Sequence, residues 1–263
     1  MNRIVDYQNL SSQISNWILK YSIDNKINTL VVGVSGGIDS AVVSTLCAET
    51  GLPTIVVGLP LNSKKKNTDL SNSHISFLET KYKNVRALDI NLSKVFDVFS
   101  NIPEFKNEFN SELAFANTKS RIRMISLYQI ASSKNGIVVG TGNKVEDFGV
   151  GFFTKYGDGG VDISPIADLY KTEVKELGKH LGICQNILDA QPTDGLWDDD
   201  RNDEQQLGST YEEFEWVMEY SDLKDVFTEK ETKLIENYQS FNKKNKHKMV
   251  PIPIFNLVNN NII

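Results

Sequence analysis

The stretch Gly33-Val34-Ser35-Gly36-Gly37-Ile38-Asp39-Ser40 decides the fold. It closes an apolar, β-branched run over residues 29–34, whose lack of polar alternation reads as a strand buried on both faces. Ser35-Gly36-Gly37 breaks that strand. Ile38, Val42 and Leu46 then recur at helical spacing, and Gly51 closes the helix as its C-cap. Residues 54–59 read as a second buried strand and 85–90 as a third strand, separated by a polar loop at 62–67 and a helix over 69–81. A long helix around 112–134, with Met124, Leu127, Tyr128 and Ala131 on one face, leads to a fourth strand at 137–140. Upstream, Ile4, Leu10, Ile14, Trp17, Ile18 and Tyr21 mark an amphipathic helix over 4–21. Downstream, Val174, Leu177 and Leu181 form one stripe of a helix over 168–181, ended by Gly182. This alternation predicts a three-layer α/β/α fold, with a mostly parallel, twisted sheet of about five strands. No repeat or linker interrupts it, so residues 1–263 read as a single domain.

Composition narrows the function classes. The chain has 263 residues, 40% hydrophobic and 24% charged, which suits a globular protein rather than long disorder. It has 28 Lys plus Arg against 34 Asp plus Glu, and a net charge of -6 argues against general binding to nucleic acid or anionic membranes. Cys47 and Cys184 form no CxxC pair and read as buried thiols, against a zinc ribbon, an iron–sulfur cluster or a disulfide framework. His74, His180 and His247 are widely spaced with no HExxH, against a histidine metal site. The first ten residues lack the apolar core of a signal peptide, and no run approaches the roughly 20 apolar residues of a membrane span. A cytoplasmic protein is expected.

The glycine loop carries the chemistry. Glycines let the backbone turn sharply and approach a ligand closely. The free N–H groups at the following helix start favour an anion, and Ser35 and Ser40 add hydroxyl donors. Gly33, Val34, Ser35, Gly36, Gly37, Ile38, Asp39 and Ser40 thus read as a phosphate cradle at the carboxyl end of a parallel strand. The loop lacks the lysine of GxxxxGK[ST] and the spacing of GxGxxG. SGGxDS instead resembles the pyrophosphate loop of the N-type ATP pyrophosphatases, which split ATP between its α- and β-phosphates. Asp39 inside an anion cradle requires a cation, and Mg²⁺ held by Asp39 and the phosphates supplies one. A second constellation spans residues 139–162: another strand ends in Gly140-Thr141-Gly142, followed by Lys144, Glu146, Asp147, Lys155, Asp158 and Asp162 among glycines. A solvated charged loop is the bland alternative. The pairing with a strand end opposite the phosphate loop favours function.

SGGIDS, the GTxNKxE-type strand end, FFTKYGDGG and LYKTEV together resemble the ammonia-dependent NAD⁺ synthetases, over nearly the whole chain. The resemblance implies a Rossmann-like fold of the adenine nucleotide alpha-hydrolase type. It implies that Gly33–Ser40, Thr141, Lys171 and Thr193 contact ATP, and that Asp39 and Glu146 hold Mg²⁺. Arg121, Lys155, Asp162, His247 and Lys248 match positions contacting deamido-NAD⁺. The spacing from the glutamate to the FTK lysine is one residue longer than is usual in the family. Counting forward from Thr141 gives Glu146, counting back from Lys155 gives Asp147, and the rigidity of the strand end favours Glu146.

The implied reaction is amidation of deamido-NAD⁺ by ammonia through an acyl-adenylate, giving NAD⁺, AMP and pyrophosphate. Asp39, Glu146 and Lys171 would serve catalysis by neutralising charge, with no protein nucleophile. Homodimers are implied, with the dinucleotide site shared between subunits. The length leaves no room for the amidase domain of glutamine-dependent relatives, which points to free ammonia as nitrogen donor. The polar stretch around 193–210 is expected to be a mobile loop that orders over bound nucleotide. The basic segment 243–248 reads as a solvated tail apart from His247 and Lys248, and Lys64-Lys65-Lys66 as a solvated loop. The competing class is a non-catalytic nucleotide sensor, which has no reason to combine Asp39, Glu146 and Lys171.

Overall fold

Residues 3–62, 65–197, 201–223 and 226–255 are described by a computed structural model of the chain. In chain order its elements are α1 (Tyr7–Asp24), β1 (Thr29–Gly33), α2 (Ile38–Glu49), β2 (Thr54–Gly58), α3 (Lys65–Lys81), β3 (Val85–Asp89), α4 (Ser93–Ser100), α5 (Pro103–Asn107) and α6 (Glu112–Ser133). They continue through β4 (Gly136–Val138), a π-helical turn (Val145–Val150), α7 (Lys171–His180), α8 (Gln185–Leu188), α9 (Asp203–Leu207), α10 (Tyr211–Tyr220), a 3₁₀ turn (Ser221–Leu223) and α11 (Glu229–Met249). Among the described residues, no helix is long and apolar enough to cross a membrane.

The strands pair in parallel in the order β3-β2-β1-β4. The apolar runs of β1 and β2 follow from burial on both sides, whereas the edge strand β3 is only half-buried. Leu30, Val32 and Ile137 face α1, α2 and α7, whereas Val31, Ile55, Val57 and Val138 face α4 and α6. Each fully buried Val, Leu or Ile contributes about 1.5–3 kcal/mol, so these two faces hold the layers together. The expected count of about five strands is one too high: after β4 a single parallel bridge joins Val139 to Ile163, and no further strand forms among the described residues. The Asp162 carboxylate takes the Val138 amide at 2.7 Å in place of a ladder carbonyl, and Pro165 follows, which removes a donor. The sheet therefore has four strands.

Other expectations shift in detail. Helix α3 begins at Lys65 rather than 69, so the loop expected at 62–67 is shorter; Lys64 lies outside the described residues. Trp17, placed on the apolar face of α1, is 47% exposed, while Ser11, Ser15 and Ser22 are buried toward the core. Cys47 is buried as expected, but Cys184 is exposed at the start of α8. The basic segment 243–248 is helical, the last turns of α11. The 193–210 stretch contains α9, with its N-cap at Asn202, and residues 198–200 lie outside the described residues.

Chain order β1-β2-β3 runs outward on one side of β1, and β4 then returns to the other side. The carboxyl ends of β1 and β4 diverge there, and in open α/β sheets that switch point opens a crevice. Gly136 permits this neighbour relation: a Cβ there would lie 2.6 Å from the Thr29 carbonyl oxygen on β1. Gly136→Ala is expected to lower stability by about 1–3 kcal/mol, because backbone must move to relieve the contact. Chemical denaturation measures it, and an unchanged midpoint would contradict the close pairing of β1 with β4.

Candidate active site

The crevice at the switch point is a cavity of about 320 Å³. Its floor is the whole stretch Gly33–Ser40, its opposite wall is Gly140, Thr141, Gly142, Glu146 and Asp147, and its rim includes Lys171, Thr193 and Asp203. Gly36 has φ +88, which an L side chain resists, so the turn from β1 into α2 depends on it. The first helical bond of α2 runs from the Ala41 amide to the Gly37 carbonyl, so the amides of Ile38, Asp39 and Ser40 precede it without intrahelical acceptors. Ser40 differs from the expectation of an outward donor. It is 3% exposed; its hydroxyl donates to the Gly37 carbonyl at 3.0 Å and accepts from the Ser35 amide at 3.1 Å. It therefore shapes the loop from within.

Three charged side chains converge beside the loop. The Lys171 ammonium donates to Asp39 Oδ2 at 2.5 Å and to Glu146 Oε1 at 3.0 Å. All three are largely buried, with side chains 12%, 15% and 17% exposed for Lys171, Asp39 and Glu146. Each comes from a different part of the chain: Asp39 from the first turn of α2, Glu146 from the π turn, and Lys171 from the first residue of α7. Asn143, fully buried, joins them. Its side-chain oxygen accepts from the Val145 and Glu146 amides at 3.1 and 3.2 Å, and its Nδ2 donates to Asp39 Oδ1 at 3.4 Å. Asn143 was legible as the first residue of an Asn-x-x-Glu capping pattern, although the sequence reading did not single it out.

Both Glu146 and Asp147 lie within the π turn Val145–Val150. Both acids left open by counting consequently line the cavity, but they differ in partners. Glu146 receives Lys171 and the Tyr211 hydroxyl, the latter at 2.7 Å. The Asp147 carboxylate packs against Gly142, where any side chain would collide with it.

The electrostatics follow from burial. Burial, opposed by the Lys171 ammonium, leaves Asp39 above the ordinary carboxylate range. Burial pushes Glu146 up as well, but the Lys171 ammonium and the Tyr211 hydroxyl outweigh it and hold Glu146 below that range. Burial opposes the charge on Lys171, and the two carboxylates more than restore it. Asp147 has no such cation; burial and the neighbouring Glu146 and Asp158 raise it to about 8. Burial and Glu146 raise Asp203 to about 7.

The other residues singled out from sequence form a second group, outside the cavity lining. The Arg121 guanidinium donates to the Lys155 carbonyl at 3.3 Å, and the Lys155 ammonium donates to the His247 carbonyl at 3.0 Å. Lys248 donates to the carbonyls of Gly151 and Phe153, and Asn242 and Asn245 donate to those of Gly149 and Val150 at 2.8 Å each. Helix α11 thus clamps the chain just after the π turn. Asp162 accepts from Tyr128 at 3.1 Å, two turns along α6 from Arg121, and the 62% exposed Ile125 lies between those turns. Arg121, Lys155, His247 and Lys248 are therefore brought together, with Asp162 held by Tyr128 further along α6. Lys119 and Tyr211 were not anticipated. The Lys119 ammonium donates to the Leu196 carbonyl at 2.9 Å, which ties the segment after Thr193 to α6.

The sequence profile of the NAD synthase family matches residues 10–251. The NH(3)-dependent NAD(+) synthetase of Alkaliphilus metalliredigens is 35% identical over 249 residues, 90% of this chain and 94% of that protein. The solved structure of NMN synthetase from Francisella tularensis superposes with a TM-score of 0.85 at 32% identity, covering 96% of this chain and all of that one. The NH3-dependent NAD synthetase from Campylobacter jejuni superposes with a TM-score of 0.77 at 26% identity, again over 96% of this chain.

The raised Asp147 has a consequence for stability. Folded, it keeps its proton up to about pH 8, whereas unfolded it loses it near its ordinary value of 3.8. The folded state then binds more protons between those values, so stability falls as pH rises through that window. Without nucleotide and with EDTA present, Asp147→Asn is expected to raise the melting temperature at pH 8 and leave it unchanged at pH 4. Parallel pH profiles for the two proteins would contradict the assignment.

Proposed function

Because the chain belongs to the NAD synthase family, we propose that it performs the last step of NAD biosynthesis, ATP-dependent amidation of deamido-NAD⁺ by ammonia. ATP is a substrate, and AMP and pyrophosphate leave. The observation that carries this reading is the convergence of Asp39, Glu146 and Lys171 at the mouth of the phosphate loop.

A carboxylate has no good leaving group, so direct attack by ammonia is slow. In the proposed reaction a carboxylate oxygen of the nicotinate ring bonds to the α-phosphorus while the bond to pyrophosphate breaks. Ammonia then attacks the acyl carbon of the adenylate, AMP departs with the bonding electron pair, and the new amide nitrogen loses a proton. The chain supplies no nucleophile. The helix-start amides of α2 receive phosphate oxygens, and Lys171 neutralises charge that builds on the leaving group. Thr141 and Thr193, on the cavity wall and rim, complete the ATP contacts. Exclusion of water within the crevice strengthens each of these interactions.

The residues present fit Mg²⁺. Asp39 and Glu146 offer only hard oxygen donors and already converge on one cationic group, and two carboxylates leave the remaining positions to phosphate and water, as Mg²⁺ prefers. Bound there, Mg²⁺ supplies electrostatic stabilisation of the leaving pyrophosphate.

Arg121, Lys155, Asp162, His247 and Lys248 are proposed to receive the dinucleotide. Their position outside the cavity lining, around the exposed Ile125 of α6, supports a homodimer in which one subunit's α6 face borders its partner's site. The whole chain acts as one synthetase domain in this reading. Its nucleotide substrates place it in the cytoplasm.

A second reading, favoured by the full-length match to the Francisella protein, is amidation of the smaller nicotinate mononucleotide to NMN. Incubation with ATP, Mg²⁺, ammonium and either acid separates the two. NAD⁺ and AMP are expected from deamido-NAD⁺, a preference for the mononucleotide would replace the dinucleotide, and no AMP from either would overturn the reading. Asp39→Asn is expected to slow turnover about a hundredfold or more with the fold intact, since it removes a charge that would hold Mg²⁺ against the reacting phosphates. Ile125→Arg is expected to shift the protein to monomer in light scattering and to slow turnover. A fully active monomer would sink the shared-site proposal.

A further inference from the structure

Tyr211 opens α10, with its amide held by Glu204 Oε1 at 3.2 Å, and it is 3% exposed. Its hydroxyl donates to Glu146 Oε1 at 2.7 Å, the same oxygen that receives Lys171. The Lys171 ammonium also lies 4.9 Å from the centre of the Tyr211 ring, within reach of its π face. On the other side, the Tyr211 hydroxyl is 3.4 Å from Asp203 Oδ2. Asp203 in turn accepts the Asp194 amide at 3.0 Å and donates its own amide to the Pro192 carbonyl at 3.0 Å. Residues 192–194 also line the cavity.

One side chain therefore touches both Glu146 and Asp203. A buried phenol that donates to a carboxylate makes a charge-assisted bond, among the stronger hydrogen bonds in proteins. Two donors on one oxygen fix the rotation of the carboxylate more firmly than either would alone. The bond to Glu146 is short, and the contact with Asp203 joins the same phenol to the segment that carries Thr193.

We propose that Tyr211 is a positioning residue of the synthetase site: it holds Glu146 in the orientation that receives the metal of the metal–ATP complex and couples that carboxylate, through Asp203, to the 192–194 segment. The inference rests on the proposed synthetase reading, specifically on Glu146 as metal ligand. Tyr211→Phe keeps the ring, its packing against Phe214 and the 207–214 core, and removes only the hydroxyl.

The test reads binding as well as activity. Mn²⁺ is titrated into the full-length protein with saturating ATP and followed by electron paramagnetic resonance, alongside melting temperature and steady-state kinetics in Mg²⁺. Tyr211→Phe is expected to weaken Mn²⁺ about tenfold, in line with loss of one hydrogen bond to a charged group. The Mg²⁺ concentration for half-maximal rate should rise similarly, with kcat at saturating Mg²⁺ changing less and the melting temperature within a few degrees. Asp203→Asn is expected to weaken nucleotide-dependent Mn²⁺ binding in the wild-type background and to add little to Tyr211→Phe. Wild-type-like Mn²⁺ binding by Tyr211→Phe would overturn the role of Tyr211, as would a loss confined to melting temperature. Absence of Mn²⁺ binding by the wild-type protein with ATP would instead overturn the metal-site reading on which the inference rests.

Discussion

One ammonium group held between two largely buried carboxylates organises the molecule. Lys171, Asp39 and Glu146 are distant in sequence and meet only because β4 returns to the far side of β1. Taking three charges out of water costs several kcal/mol apiece, and their mutual attraction offsets this only when the geometry is good and the remaining lone pairs are satisfied. Asn143 and Tyr211 satisfy them, one from the strand end and one from α10. Removing any single member leaves the others without their partner, so the three groups act as one unit.

The surroundings are tuned to that cluster. The chain is acidic, with a net charge of -6, yet it must accept polyanionic substrates. It manages this by keeping two further acids of the crevice, Asp147 and Asp203, close to or above neutrality in their proton affinity. Helix α11 acts on the same region from outside. Its asparagine and lysine side chains take carbonyls of residues 149–153, next to the π turn where the regular helical pattern is interrupted.

Much of this was legible in the sequence, and the legible part follows a physical rule. The central strands β1 and β2 read clearly because both of their faces are buried, so polarity does not alternate. The phosphate loop read clearly because glycine chemistry is local. What stayed hidden depends on contacts between distant segments. Helix α11 buries no residue completely, and its short apolar stripe of Leu234, Tyr238 and Phe241 lies in a strongly charged segment, although Thr228-x-x-Glu231 marks its start as a capping box. The same signal, Thr210-x-x-Glu213, marks α10 and would have placed Tyr211 at a helix start, but nothing local to Tyr211 names Glu146 as its partner. Resemblance located the residues of the second group, and only the fold places them outside the cavity, around α6.

The central claim is that Asp39 and Glu146 act as one unit through a shared cation. A double-mutant cycle on ATP-dependent Mn²⁺ affinity, using Asp39→Asn, Glu146→Gln and the double variant, tests it most directly. Strong non-additivity is predicted, with each single variant losing nearly as much affinity as the pair. Additive losses would show two independent carboxylates and contradict the account.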